Sequence, residues 1–150
     1  MPNQQFIWPN VRGLNGANVD FSRTQAPASG TADLVYLTNL TEGWYAVTNQ
    51  DMRVSFGMAW TLESFPYLWY WHDANGTAGY PWYGRGYVLA LEPWSSYPSM
   101  GLAESVARNT HITLQPGERR YARLTATMAT DLLRVGRVTL EGIMTPKESL

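Results

Sequence analysis

The strongest constraint on the fold is the spacing of apolar residues. Val54, Phe56, Met58 and Trp60 alternate with Arg53, Ser55, Gly57, Ala59 and Thr61. Period two means a strand with one buried face, and this reading puts the large apolar residues inside. Asn49-Gln50-Asp51 before it has the composition of a hairpin turn. Further short runs share the character: Leu34–Leu37, Trp44–Thr48, Pro66–Trp71, Gly86–Glu92, His111–Leu114, Tyr121–Met128 and Gly136–Met144. Gly101–Arg108 is the one good helix candidate. In Gln115-Pro116-Gly117-Glu118, Pro presets φ and Gly supplies a positive φ, as a type II turn requires. About eight short strands with turns between them predict an all-β, antiparallel β-sandwich.

The expected organisation is an N-terminal extension or wrapping segment over 1–32, a β-sandwich domain over 33–145 and a tail over 146–150. The first segment is rich in Pro, Gly, Asn and Ser, with Phe6–Trp8 and Val19–Phe21 as its extended pieces, and is not expected to form a core by itself. Pro66–Trp71 and Tyr87–Leu91 are apolar on both faces, which suits central strands covered on both sides. A 150-residue chain has little to cover them with, so a homodimer or larger even oligomer is expected.

Composition excludes several functions. Charged residues are 15% of the chain and the formal net charge is −1, so no field exists to hold a polyanion, and no nucleic-acid partner is expected. There is no cysteine, which removes disulfides, thiolate metal sites and thiol nucleophiles. Neither HxH nor HExxH spacing occurs, and neither a phosphate loop nor a dinucleotide fingerprint, so no metal and no cofactor are expected. The N-terminus lacks the pattern of a signal peptide and no apolar run can span a bilayer; the expectation is a cytoplasmic protein without a membrane partner.

What remains is aromatic. Eleven of the 20 aromatic residues fall between Phe65 and Tyr97. The apolar C–H face of a pyranose stacks on such rings while charged groups take its hydroxyls. Trp69, Trp71, Trp82, Tyr83 and Trp94, with Arg85 between two glycines as a hydroxyl clamp, are the candidate binding residues for a monosaccharide or other small carbohydrate. Each ring has core packing as its plainer role, and Arg85 has an ion pair with Glu92. Glu92 follows five uncharged residues and precedes Pro93, which holds it in extended backbone at a strand end. Beside Trp82 and Trp94 it is the candidate general base, against the alternative of a solvated rim carboxylate. His72 is a candidate acid or sugar donor; the plainer reading is a strand-end histidine in solvent or bonded to Asp73. His111 reads as structural, and Arg119 and Arg123 as a solvated strand face.

The stretch Tyr87–Pro98 resembles the strand and Pro-containing loop that carry the catalytic glutamate of the galactose mutarotase-like (aldose 1-epimerase) superfamily. Phe65-Pro66-Tyr67-Leu68-Trp69 is similar to the strand before it, and Leu114-Gln115-Pro116-Gly117-Glu118 to a downstream turn. The resemblance covers roughly residues 33–128 and the C-terminal half of that family's domain. It implies half or a reduced form of a β-supersandwich, a sugar site and an isomerase chemistry. In that chemistry a glutamate takes the anomeric proton, a histidine protonates the ring oxygen, and the ring opens and recloses. Glu92 matches the base. No motif here matches the family's histidine, which leaves His72 as substitute acid. A non-catalytic structural or interaction β-sandwich with core aromatics is the alternative.

Overall fold

A computed structural model describes residues 4–148. Among the described residues ten strands and one short α-helix follow in order: β1 Asn10–Arg12, β2 Asn18–Asp20, β3 Thr31–Leu37, β4 Trp44–Asn49, β5 Val54–Trp60, β6 Tyr67–Ala74, β7 Tyr87–Trp94, α1 Leu102–Ala107, β8 Leu124–Thr130, β9 Val135–Val138 and β10 Met144–Pro146, with a single 3-10 turn at Pro27–Ser29. The protein is all-β, and the pairs β1–β2, β4–β5, β5–β8 and β9–β10 are antiparallel. Two three-stranded sheets have the orders β3-β6-β7 and β4-β5-β8. The chain divides into two compact units, Met1–Leu37 with Tyr70–Ala90 and Thr38–Trp69 with Leu91–Leu150, so β6 and β7 contribute residues to both.

The first unit draws core residues from the N-terminal segment. Val11 and Phe21, on either side of the β1–β2 hairpin, are buried, and Phe21 stacks on Tyr70 at 5.2 Å between ring centroids. Composition hid this, because two apolar residues in a Gly- and Asn-rich stretch show no period.

In the second unit, β5 alternates as expected but buries the other face. Ser55, Gly57 and Ala59 are buried, while Val54, Phe56 and Met58 are only half-buried. The small residues admit the β9–β10 hairpin: a Cβ on Gly57 would lie 2.7 Å from Met144 Cε and 2.8 Å from Val138 Cγ2. Ser55 satisfies its hydroxyl by donating to the Leu132 carbonyl at 2.6 Å. Cross-strand register sets Val47, Phe56 and Met128 in one row and Tyr45, Met58 and Ala126 in the next. Residues directly opposite share a face, so these rows form an apolar sheet face, on which Met128 is 69% and Leu124 49% exposed. At one end Trp60 is buried and donates its indole N–H to the Phe65 carbonyl at 2.8 Å.

Other local expectations fared differently. The helix forms, and the Gln115–Glu118 turn closes with a 2.9 Å backbone bond and φ of +81° at Gly117. Residues 111–114 form no strand, and β8 begins at Leu124. The last expected strand is broken into β9 and β10 by a turn at Gly142, where φ is +83°. β6 is the central strand of its sheet, but β7 ends the order and exposes Tyr87. Of the expected tail, Pro146 belongs to β10, and residues 149 and 150 lie outside the described residues.

Candidate functional site

Alternation along β6 divides its aromatic residues. Tyr67, Trp69 and Trp71 are half-buried on one face; Leu68, Tyr70 and His72 are buried on the other. The two faces do different work, and each compact unit holds part of the candidate set.

In the second unit Trp69 and Trp94 stack, with centroids 4.4 Å apart and ring planes 19° from parallel. Trp69 donates its indole N–H to the Ser96 carbonyl at 2.9 Å, which fixes the ring from the loop side. Trp94 donates its own to Glu92 Oε2 at 2.8 Å. The two share a face of β7 because they are two residues apart. Glu92 is half-buried and takes part in no ion pair among the described residues. Tyr67 meets Tyr97 edge-on at 4.7 Å, and Thr110 donates its hydroxyl to the Tyr97 carbonyl, tying the loop after β7 to the end of α1.

In the first unit Trp71 lies 5.3 Å from Trp82, tilted by 58°. Trp82, Tyr83 and Arg85 sit on a turn between β6 and β7 that is closed by its own backbone. The N–H groups of Trp82 and Tyr83 bond to Gly79 O, that of Gly84 to Thr77 O, and that of Arg85 to Trp82 O. Tyr83 and Gly84 both take left-handed backbone, φ +48° and +67°, which ends the turn. Tyr83 is 62% exposed, meets Tyr80 edge-on at 6.0 Å, and is followed by an exposed Arg85. Gly86 is required for contact: a Cβ there would stand 3.2 Å from Trp82 Cε3 and 3.5 Å from Asp73 Oδ2.

His72 is neither in solvent nor bonded to Asp73. It is 4% exposed, edge-on to Phe21 at 5.6 Å and Tyr70 at 5.9 Å. Its Nε2 lies 3.2 Å from Thr31 Oγ1 and 3.9 Å from Asp33 Oδ2. Burial pushes its pKa below the ordinary histidine value, against the raising effect of Asp33 and Asp73. Asp33 moves the opposite way: burial raises its carboxyl, and His72 only partly offsets it. Asp73, fully buried, accepts the Gly76 N–H at 2.8 Å and the Thr77 N–H at 3.4 Å on Oδ1. Hydrogen bonding from the Thr77 side chain, then from the Gly76 and Thr77 N–H groups, holds its carboxyl below the usual range despite burial.

The structure thus brings Trp69, Trp94 and Glu92 together in one unit, and Trp71 and Trp82 in the other, with Tyr83 and Arg85 on the turn beside Trp82. The sequence reading missed Asp33 and Asp73. Asp73 had one signal, its place three residues before Gly76 at a strand-to-turn boundary, where Asp accepts backbone N–H groups. Asp33 had none. Among the described residues no three His, Cys, Asp or Glu side chains converge as metal ligands, and no helix is long and apolar enough to cross a membrane.

These features define an antiparallel all-β domain that sets a stacked indole pair beside a half-buried carboxylate. The chain belongs to the family described as Domain of unknown function (DUF4432), whose model matches residues 3–128 and so includes every candidate residue above. No curated protein and no solved structure matches it.

Proposed function

We propose that this is a cytoplasmic carbohydrate-binding domain, similar to aldose 1-epimerases, with Glu92 as the base for interconverting the anomers of a small aldose. The observation that supports it most is the Trp69–Trp94 stack with Glu92 bonded to the Trp94 indole. A pyranose has an apolar face and a hydroxyl edge, and an indole plane beside a carboxylate meets both. Trp71 and Trp82, with Tyr83 and Arg85 on the turn beside Trp82, are a separate aromatic group in the first unit with the same kind of chemistry.

The chemistry asked of Glu92 is removal of the anomeric hydroxyl proton while an acid protonates the ring oxygen and the C–O bond between them breaks. Rotation of the aldehyde and reclosure give the other anomer, with the protons returned. The acid is not assigned: His72, the candidate from the sequence, is buried among Phe21, Tyr70 and Thr31 on the face of β6 opposite Trp69. The exposed apolar face of β4, β5 and β8 supports a homodimer as the assembled form.

The test is titration with glucose, galactose and mannose, read by tryptophan fluorescence and by the indole N–H signals of Trp69 and Trp94. Millimolar affinity is expected, since a monosaccharide offers few atoms and water competes for each hydroxyl. Polarimetry of fresh α-glucose or α-galactose tests catalysis: Glu92→Gln lowers the rate by at least about 100-fold. A wild-type rate equal to buffer removes the catalytic half of the proposal. No indole shift with any sugar removes the binding half, and leaves a structural β-sandwich.

A further inference from the structure

β8 ends its sheet, in the order β4-β5-β8, and four of its seven residues are exposed. Two bonds fix which way its backbone points. The Thr61 N–H bonds to Arg123 O at 3.0 Å at one end, and the Asp131 N–H to Arg53 O at 2.8 Å at the other. The register between them is unbroken, and hydrogen-bonded pairs alternate along an antiparallel ladder. The odd-numbered residues of β8 therefore turn their N–H and C=O groups to β5. Leu124, Ala126, Met128 and Thr130 turn theirs outward, where no further strand pairs with them among the described residues.

Such an edge is a template for another strand, and proteins ordinarily block it with charge, proline, a bulge or shortness. Leu124–Thr130 has none of these: it is uncharged, free of proline and regular in register over its whole length. Exposure points to the same edge. On the apolar face of this sheet Phe56 and Met58, on the central strand, are half-buried, whereas Met128 is 69% exposed because nothing flanks it.

The edge is complementary to itself. Only an antiparallel pairing centred on Thr127 matches all four outward residues of one copy to all four of another. Leu124 then meets Thr130 and Ala126 meets Met128, a large side chain beside a small one each time. The same register sets Arg123 opposite Asp131 at both ends of the ladder. Arg123 is exposed and in no ion pair among the described residues. Asp131 bonds Arg53 through Oδ1 at 2.6 Å, which leaves Oδ2 for a second guanidinium. Shape and charge thus both select a second copy of this strand.

We propose that β8 of two copies pair antiparallel about a two-fold axis at Thr127, joining their sheets into one of six strands, β4-β5-β8-β8-β5-β4. The seam carries about eight backbone hydrogen bonds, two for each hydrogen-bonded pair. This gives the homodimer proposed above its interface, and rests on that dimer and not on sugar binding.

The test is light scattering of the full chain at low micromolar concentration, wild type beside Ala126→Pro and Val47→Lys. Proline at 126 removes an outward N–H and spares both the bonds to β5 and the apolar face. It should raise the dimer dissociation constant at least about 10-fold. Lysine at 47 charges the apolar face on the strand farthest from the seam, and should leave the dimer unchanged. Should the proline variant fail to fold, cross-linking decides. The chain has no cysteine of its own. Across a non-hydrogen-bonded pair the Cα atoms stand about 4.5 Å apart, within reach of a disulfide. Thr127→Cys treated with diamide should therefore give a covalent dimer, and Thr125→Cys, which would face Ala129, should not. Loss of the dimer in Val47→Lys but not in Ala126→Pro would overturn this interface and leave a dimer formed face to face. Equal cross-linking at 125 and 127 would overturn the register. A wild-type monomer would overturn both the interface and the homodimer, and leave the edge to a strand from another protein.

Discussion

β5 reads in sequence as an alternating strand and β6 as one apolar on both faces, and the faces they bury carry side chains of different size. β6 buries Leu68, Tyr70 and His72 and leaves Tyr67, Trp69 and Trp71 half-covered; β5 buries Ser55, Gly57 and Ala59, and leaves Val54, Phe56 and Met58 half-covered. The difference lies in what packs on each strand. β6 receives separate side chains, with Phe21 stacked flat on Tyr70, so large residues fill the space. β5 receives the Val138 and Met144 side chains of the β9–β10 hairpin at close range, and only small residues leave room for them. A period of two fixes that a strand has two faces; the neighbours decide which one is inside.

Three variants test the comparison, in order of expected effect. Tyr70→Ala removes a buried ring from between Phe21 and His72, and should cost about 3–5 kcal/mol in urea unfolding. A loss below about 1 kcal/mol would mean that β6 does not bury its aromatic face as described. Gly57→Val pushes side-chain carbon into Val138 and Met144, and should cost about 1–3 kcal/mol, although valine favours strands. A stabilised variant would show that the β9–β10 hairpin does not sit on β5. The smallest effect on stability is expected on the opposite face. Met128→Lys with Leu124→Lys should change monomer stability by no more than about 0.5 kcal/mol per site. The same pair should convert a dimer into a monomer in light scattering at low micromolar concentration. A wild-type protein that is already monomeric there would remove the homodimer.

Much of this fold was legible. The positions of β3, β4, β5 and α1 and the Gln115–Glu118 turn follow from apolar runs and turn residues, and these signals are local. The missed elements depend on distant partners. Val11 and Phe21 look like isolated residues in a loop until Tyr70 gives Phe21 a surface to stack on. Residues 111–114 have a strand's composition but no pairing partner. The split at Gly142 needed a positive φ that a single glycine does not announce.

For the candidate site, the aromatic cluster and Glu92 were legible because Trp, Tyr and a lone carboxylate stand out in a chain with few charges. The burial of His72 was not. Its environment comes from Phe21 and Thr31, at separations of 51 and 41 residues, and no local pattern encodes contacts of that range. Asp33 is brought to His72 in the same way.

The turn after β6 has a consequence for how such a domain diversifies. Its frame is made by backbone groups of residues 77–85 bonding to one another, and the side chains of Tyr80, Trp82, Tyr83 and Arg85 contribute nothing to that closure. Those positions can therefore change identity while the frame persists, with Tyr83 the most restricted by its left-handed backbone and Gly84 fixed by the same cause. A library randomised at 80, 82 and 85, with 83 limited to Tyr, Asn and Gly, would vary what the loop contacts while keeping how it is built. The aromatic turn is in that sense an interchangeable cassette on an invariant mount.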